Sequence, residues 1–335
     1  MSEQAVTAVA EGPYFDELAV GQVFDSAPGI TLTPGLAGVH QSIVGDRLAL
    51  PLDAALCAEV TGGSSLAHPA LVWDLAIGQS TVATHHVKAN LFYRGLVFRR
   101  TPVLGDTLRT TTEVVALRQN RPREGRRPTG LAALRITTVD QHDRPVLDFW
   151  RCAMLPLRDA GARTGSADDL ESVGAAPDRA ALAAVVDGWH LDRFARRVSG
   201  PRFAELRVGQ SFEVGGADVV SSAPELARLT LNVAKVHHDS QAAGGSRLVY
   251  GGHTIGLALA QAARALPGIV TVAGWHGCDH VGPVREGDTV RSTVTIERLE
   301  PLTSAAGLVH LRSRVYADGE PAREVLDWRY VAVLA

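Results

Sequence analysis

The sequence is internally repeated, and this repeat constrains the possible folds more than any other feature. The segment FDELAVGQVF begins at Phe15, and the similar segment FAELRVGQSF begins at Phe203. A second pair follows in the same order, with PVLGDTLRTTTEV beginning at Pro102 and PVREGDTVRSTVTI at Pro283. The segments VLDFWR and VLDWRY, near the ends of the two halves, form a third pair. Three matched pairs in the same order indicate a tandem duplication of one folding unit.

The length of the chain fits two domains joined by a linker. Its 335 residues suffice for two cores at about 100–200 residues per domain. We predict a first copy over residues 1–158 and a second copy over 201–335. Residues 159–200 begin with small and polar side chains, as linkers do, and continue with apolar residues at three- and four-residue spacing. This spacing predicts one connecting helix over 180–198.

Each copy combines one apolar helix with alternating strands. The apolar runs over 68–82 and 252–266 predict helices. Residues 108–117 and 131–139 alternate Thr or Arg with apolar residues, which is typical of half-buried strands. These patterns predict an α+β fold in which a long helix is wrapped by an antiparallel sheet. We expect the two sheets to pair edge to edge, because pairing protects exposed strand edges.

Charge and cysteine content exclude several classes of protein. The balance of 33 Lys and Arg against 36 Asp and Glu gives a net charge of −3, which removes the electrostatic basis for nucleic-acid binding. Three cysteines without ligand spacing exclude a disulfide framework and a zinc ribbon. No apolar run reaches the roughly 18–20 residues of a membrane span, and the N-terminus lacks the basic region of a signal peptide. These features predict a cytoplasmic protein without nucleic-acid or membrane partners.

Cofactor and metal motifs are also missing from the sequence. The Gly-Gly pairs fit neither the Walker nor the dinucleotide-binding fingerprint, so we predict no nucleotide cofactor. The pairs His85–His86 and His276–His280 are not accompanied by convergent carboxylates or cysteines, so we predict no metal site. We interpret both pairs as strand residues.

Two longer stretches resemble a known family. They are NLFYRGLVFRRTPVLGDTLRTTTEV in the first copy and NVAKVHHDSQAAGGSRLVYGGH in the second. Both resemble the MaoC-like enoyl-CoA hydratases in their double-hotdog form, and most closely the mesaconyl-CoA hydratases, also called β-methylmalyl-CoA dehydratases. The LVYGGH run after NVAKVH is the more specific part. The resemblance implies a tandem hotdog fold and the hydration of a CoA thioester.

In that family, a loop resembling G-D-x-N-P-x-H-x-D holds and activates water through its Asp and its His. In the second copy, His237 and Asp239 match the His and the last Asp, while Asn232 stands at the first Asp. The resemblance implies that His237 is the catalytic proton carrier, and the ordinary pKa of histidine suits that role. Asn232 cannot take up a proton, but its amide can orient water or the thioester. Asn is also a common cap of helices and turns.

The same loop is incomplete in the first copy. Gly45, Asp46 and Asp53 match the motif, but Pro51 stands where the His belongs. Because Asp46 alone makes a poor site for proton transfer, we predict that the first copy is degenerate. It would complete the fold and shape the acyl-CoA tunnel.

The run LVYGGH opens the second predicted helix. Gly251 and Gly252 allow close approach of the backbone, and N–H groups at a helix N-terminus stabilise the negative charge of an enolate oxygen. We predict that Tyr250 and His253 contact the acyl group. In the first copy, Pro69 at the matching position has no N–H to donate.

Five cations are candidates for contacts with substrate anions. Lys235 and Arg247 lie beside the second-copy motif, and we predict that they bind a substrate carboxylate. Arg94, Arg99 and Arg100 precede the first GDT segment and are candidates for contacts with CoA phosphates or a carboxylate. A solvated strand face is an equally good interpretation of each of these three arginines.

The resemblance implies an acyl-CoA hydro-lyase that acts reversibly on a short 2-enoyl-CoA, foremost the mesaconyl-CoA/β-methylmalyl-CoA pair. An (R)-specific hydratase of straight-chain enoyl-CoAs is the first alternative. A hotdog thioesterase is the second, since a fold does not fix a function, and it needs Asp46, Asp53 or Asp239 as a base. A non-catalytic acyl-CoA-binding protein is the third. Hydration requires no cofactor, and the sequence leaves a homodimer open.

Overall fold

The computed structural model describes residues 10–63 and 65–335. In the first copy, short elements precede a long helix and four long strands. The elements are β1 (Val23–Phe24), β2 (Ile30–Thr31), α1 (Pro34–Val44), α2 (Ala49–Leu52), α3 (Ala54–Thr61), α4 (Pro69–Gln79), β3 (Ala89–Phe98), β4 (Thr107–Gln119), β5 (Thr129–Val139) and β6 (Pro145–Pro156). The predicted helix over 68–82 is observed as α4 and the turn of 3-10 helix that follows it to Ala83.

The linker contains two short helices, α5 (Arg179–Ala184) and α6 (Leu191–Arg197). The prediction of one helix over 180–198 is therefore wrong. Gly188 lies between the two helices with a φ of +76°. Glycine adopts this left-handed backbone conformation readily, and a residue in that conformation interrupts a right-handed helix.

The second copy repeats the order of the first. Its elements are β7 (Ser211–Glu213), β8 (Asp218–Val219), α7 (Ala223–Leu229), α8 (Lys235–His238), α9 (Gly251–Ala265), β9 (Ile269–Asp279), β10 (Thr289–Pro301), β11 (Gly307–Ala317) and β12 (Arg323–Leu334). The prediction over 252–266 lies within one residue of α9 at either end. None of the helices in the described ranges is both long enough and apolar enough to cross a membrane.

The described strands form one antiparallel sheet of twelve strands that runs through both copies. Its order is β1-β4-β5-β6-β3-β9-β12-β11-β10-β7, with β2 beside β4 and β8 beside β10. The copies join where β3 pairs with β9, which places Tyr93 opposite Cys278 and Val97 opposite Gly274. The predicted edge-to-edge pairing is confirmed, and the junction has no exposed strand edge.

The two long helices pack against this sheet and against each other. All eleven residues of α4 are buried. Its Trp73 packs edge-on against Trp275 of β9, with ring centroids 4.9 Å apart, and Trp275 packs against Trp328 of β12 at 5.5 Å. Edge-to-face packing is favourable for aromatic rings. The helix of one copy and the strands of the other therefore share one core, which fixes the copies relative to each other.

Candidate active site

A cavity of about 730 Å³ lies between the two copies, a volume in the usual range of small-molecule sites. The second copy supplies most of its wall, and the first copy supplies a short segment that enters β3. The lining residues are Val87, Lys88, Ala89, Asn90, Val236, His237, Gln241, Ala242, Ala243, Gly244, Leu248, Val249, Gly251, Thr254, His280, Val281, Gly282, Pro283, Val284 and Arg285. Of the predicted site residues, the cavity brings together His237 and Gly251.

His237 lies on α8 and is held in one orientation. Its Nδ1 donates a hydrogen bond to the carbonyl of Leu248 at 2.8 Å, and its ring lies edge-on to the Tyr250 ring, 5.8 Å between centroids. Burial lowers the pKa of His237 to about 4. The imidazole is therefore neutral near pH 7, and with its N–H on Nδ1 it carries the lone pair on Nε2. A neutral histidine in a cavity wall can act as a general base.

The N-terminus of α9 forms the wall beside His237. Tyr250 is the N-cap residue, and its side chain makes no capping hydrogen bond to the first N–H groups of the helix. A Cβ on Gly251 would lie 2.5 Å from Nε2 of His280, so only glycine fits there without displacing that ring. Uncapped N–H groups at a helix N-terminus attract negative charge. This wall can therefore stabilise an oxyanion.

His280, which the sequence analysis interpreted as a strand residue, lies just beyond β9 and lines the cavity. It follows the last residue of β9, and its Nε2 is buried without a hydrogen-bond partner among the described residues. Burial lowers its pKa to about 4, so it is neutral near pH 7. The sequence offered no signal for it, because the strand pattern alone does not show that this position ends at a cavity.

Tyr250, Gly252 and His253 lie behind the cavity wall. The Tyr250 hydroxyl donates to the Asp74 carbonyl oxygen at 3.2 Å and lies 3.3 Å from its Oδ1. His253 is fully buried, and neither ring nitrogen has a hydrogen-bond partner among the described residues. None of the three lines the cavity. Their position suits a role in placing α9 better than direct contact with an acyl group.

Asn232 is buried at the turn before α8. Its Oδ1 accepts a hydrogen bond from the Ala234 N–H at 3.0 Å, and its carbonyl accepts one from His238 at 2.6 Å. It does not line the cavity. The side chain holds the backbone turn, as Asn often does, and thereby places the helix that carries His237.

Lys235 and Arg247 form ion pairs away from the cavity lining. Lys235 Nζ lies 3.1 Å from Glu11, and the Arg247 guanidinium lies 3.7 Å from Glu286. The cations in the cavity wall are instead Lys88 and Arg285. The sequence missed both, since their place follows from tertiary structure and not from the motif.

The three arginines near the first GDT segment form structural contacts. Arg94 donates to the carbonyl of Leu170 in the linker at 3.1 Å. Arg99 lies 3.7 Å from Asp148, and Arg100 is paired with Asp140. None of the three arginines lines the cavity.

The first copy contains a buried acid–histidine pair that the sequence did not reveal. Asp46 lies 2.6 Å from Nε2 of His68, the residue before Pro69 at the start of α4. The motif predicts a histidine only on the loop itself, so it gives no signal for this partner. A second pair, His40 and Asp74, lies beside it at 3.0 Å. Asp53 caps α3 by accepting from the Leu56 N–H at 2.9 Å.

Acidification is expected to destabilise the protein through its buried histidines. Burial lowers the pKa of His237, His253 and His280 to about 4 in the folded state, against about 6.5 in the unfolded chain. The unfolded state therefore binds more protons between these values. Each imidazole should lower the free energy of unfolding by about 2 kcal/mol at pH 5 relative to neutral pH. Urea unfolding at the two pH values measures the loss.

The variant His253→Leu isolates one of these contributions. Its free energy of unfolding should fall by about 2 kcal/mol less than that of the wild type over the same pH interval. His142→Leu, at an exposed position, is the control and should keep the wild-type loss. Equal losses in the wild type and His253→Leu would contradict the prediction.

Comparisons with known proteins agree on one family. A family model described as mesaconyl-CoA hydratase matches residues 3–315. The β-methylmalyl-CoA dehydratase of Chloroflexus aurantiacus is 29% identical over 293 residues, covering 83% of this chain and 80% of the relative. The mesaconyl-CoA hydratase of Cereibacter sphaeroides is 25% identical over 308 residues, covering 90% of this chain and 88% of the relative. These matches confirm the resemblance seen in the sequence.

A solved structure matches the whole fold. It is a conserved hypothetical protein from Mycobacterium tuberculosis, described as having a double hotdog fold and as essential for bacterial survival during infection. It is 56% identical to this chain, has a TM-score of 0.91, and the match covers 97% of this chain and 99% of that one. The predicted double hotdog fold is confirmed.

Proposed function

Because the chain belongs to the mesaconyl-CoA hydratase family, we propose that it catalyses the reversible syn hydration of mesaconyl-CoA to β-methylmalyl-CoA. The family makes it a hydro-lyase of the acyl-CoA hydratase type. One observation carries the proposal for the site. A buried, neutral His237 lies in the same cavity wall as the uncapped N-terminus of α9.

The proposed chemistry needs one base and one oxyanion site. Nε2 of His237 takes a proton from water while the hydroxyl oxygen bonds to the β-carbon, and the π electrons move to the thioester oxygen. The uncapped backbone N–H groups at the start of α9, that of Gly251 among them, stabilise that oxygen. The protonated His237 then donates its proton to the α-carbon. Because one group carries out both proton transfers, the hydrogen and the hydroxyl add to the same face, which gives syn addition.

The other predicted roles are proposed in modified form. Asn232 acts through the turn that places α8, and Tyr250, Gly252 and His253 act through the placement of α9. Lys88 and Arg285 in the cavity wall bind the CoA phosphates. The sequence had suggested Arg94, Arg99 and Arg100 for this role.

A mass-spectrometric assay of the purified protein tests the proposal. We expect mesaconyl-CoA to gain one water and to react faster than crotonyl-CoA. A preference for crotonyl-CoA would assign the protein to straight-chain substrates, and release of free CoA would indicate a thioesterase. Binding of both esters without reaction would indicate a non-catalytic acyl-CoA-binding protein.

A further inference from the structure

Arg151 is a buried cation without a counter-charge. It lies on β6, is 1% exposed, and belongs to the first copy. Its guanidinium donates to the carbonyl of Ser80 at 3.2 Å, to the Thr84 hydroxyl at 2.8 Å and to Oδ1 of Asn90 at 3.1 Å. Within the described part of the chain, no carboxylate lies in ion-pair distance of it, and its Nε has no hydrogen-bond partner. A buried charge without a counter-charge is unfavourable, so an anion that reaches it is stabilised.

Asn90 connects this charge to the cavity. It lies near the start of β3 and lines the cavity wall, whereas Arg151 does not. Its Oδ1 accepts from Arg151, which fixes the orientation of the amide. The NH₂ group makes no hydrogen bond to the described residues and remains as a donor. The guanidinium behind the amide polarises it and makes it a stronger donor.

The positive charge of Arg151 also acts electrostatically on His237, the proposed base. Burial is the main cause of the lowered pKa of His237; the hydrogen bond to the Leu248 carbonyl opposes it, and the positive charge of Arg151 lowers the pKa further. His237 and His280 are themselves neutral near pH 7, since their pKa values are about 4. A fixed, desolvated guanidinium therefore lies behind this part of the cavity wall, next to Asn90.

We propose that Asn90 and Arg151 recognise the free carboxylate of a dicarboxylic enoyl-CoA. The Asn90 NH₂ group donates to the carboxylate, and Arg151 supplies the compensating charge from behind. An uncharged chain end in the same place leaves the guanidinium uncompensated, so the site discriminates by charge. The inference rests on the proposed function and extends it, because it explains how a mesaconyl group would be distinguished from a monocarboxylic one.

Saturated esters test this recognition without any reaction. Succinyl-CoA and butyryl-CoA differ in having a carboxylate or a methyl group at the chain end, and neither can be hydrated. By calorimetry, we expect the wild type to bind succinyl-CoA at least about 30-fold more tightly. In Arg151→Gln and in Asn90→Ala, that ratio should fall below about threefold. Arg109→Gln, an exposed arginine paired with Asp143, should keep the wild-type ratio.

Two outcomes would overturn the inference. One is equal binding of the two esters by the wild type, and the other is an equal loss of affinity for both esters in the variants. Asn90→Ala keeps the test valid if Arg151→Gln does not fold, because Asn90 is only half-buried. Discrimination between the saturated esters without hydration of mesaconyl-CoA would refute the proposed reaction while leaving the carboxylate site in place.

Discussion

His237→Ala is expected to lower kcat for hydration by about 10²–10⁴-fold, the usual contribution of a positioned general base. Alanine removes the only group that we propose for the two proton transfers. The fold should remain, because α8 keeps its backbone contacts and the Leu248 carbonyl lies at a cavity that water can enter. Steady-state kinetics with mesaconyl-CoA, followed by the absorbance of the enoyl thioester, measures the change.

The neighbouring histidine provides a matched control. His238 bonds to the carbonyl of Asn232 and is absent from the cavity wall. His238→Ala should therefore lower kcat by less than about tenfold. If the two alanine variants were equally active, His237 would not be the proton carrier.

The pH profile of the wild type gives a further check on the same residue. Burial holds the pKa of His237 at about 4, so the base form predominates at every pH well above that value. We expect hydration to be nearly constant between about pH 8 and pH 5.5, whereas a histidine of ordinary pKa would lose half its activity near pH 6.5. A midpoint of the activity profile near pH 6.5 would contradict this expectation, because it would mean that the base is more solvated than His237 is in the structure.

The fold was largely predictable because its signals are local. The apolar run that became α9 (Gly251–Ala265) and the alternation that became β4 (Thr107–Gln119) depend only on neighbouring residues. The duplication then implied two equal units and a protected junction between them. The prediction of one helix in the linker was wrong for a local reason too. It rested on the apolar spacing over 180–198 and did not take into account that Gly188 interrupts a helix.

The site was only partly predictable, because the cavity is a tertiary feature. The motif led to His237 and Gly251, which do line it. Sequence proximity alone suggested Lys235, but its ammonium reaches Glu11, which is far away in the sequence. Asn90 stands in a strand with no motif of its own. It lines the cavity because β3 pairs with β9 across the junction of the copies.

Gly252→Ala is expected to impair both stability and activity, for one steric reason. A Cβ at this position would lie 2.6 Å from Cε1 of the Tyr250 ring and only 2.0 Å from Oδ1 of Asp74. That carboxyl cannot move away easily, since His40 holds its other oxygen at 3.0 Å and the Tyr250 hydroxyl lies beside Oδ1. Overpacking of this kind typically costs about 1–3 kcal/mol. Relief by shifting α9 would displace Gly251, so kcat/KM should fall by more than about tenfold. Urea unfolding and steady-state kinetics measure the two effects.

Two further variants separate the steric cause from the general effect of replacing glycine in a helix. Gly38 lies in α1, where an added Cβ would meet no described atom within 4 Å, so Gly38→Ala should raise the free energy of unfolding by about 0.4–1 kcal/mol. Asp74→Ala removes the obstructing oxygen but leaves His40 and Tyr250 without that partner, and so it is destabilising alone. In the double variant with Gly252→Ala, the combined loss should be smaller than the sum of the two single losses, because the methyl group then occupies the space of the lost carboxyl. Strict additivity would mean that Asp74 is not what requires glycine at the start of α9.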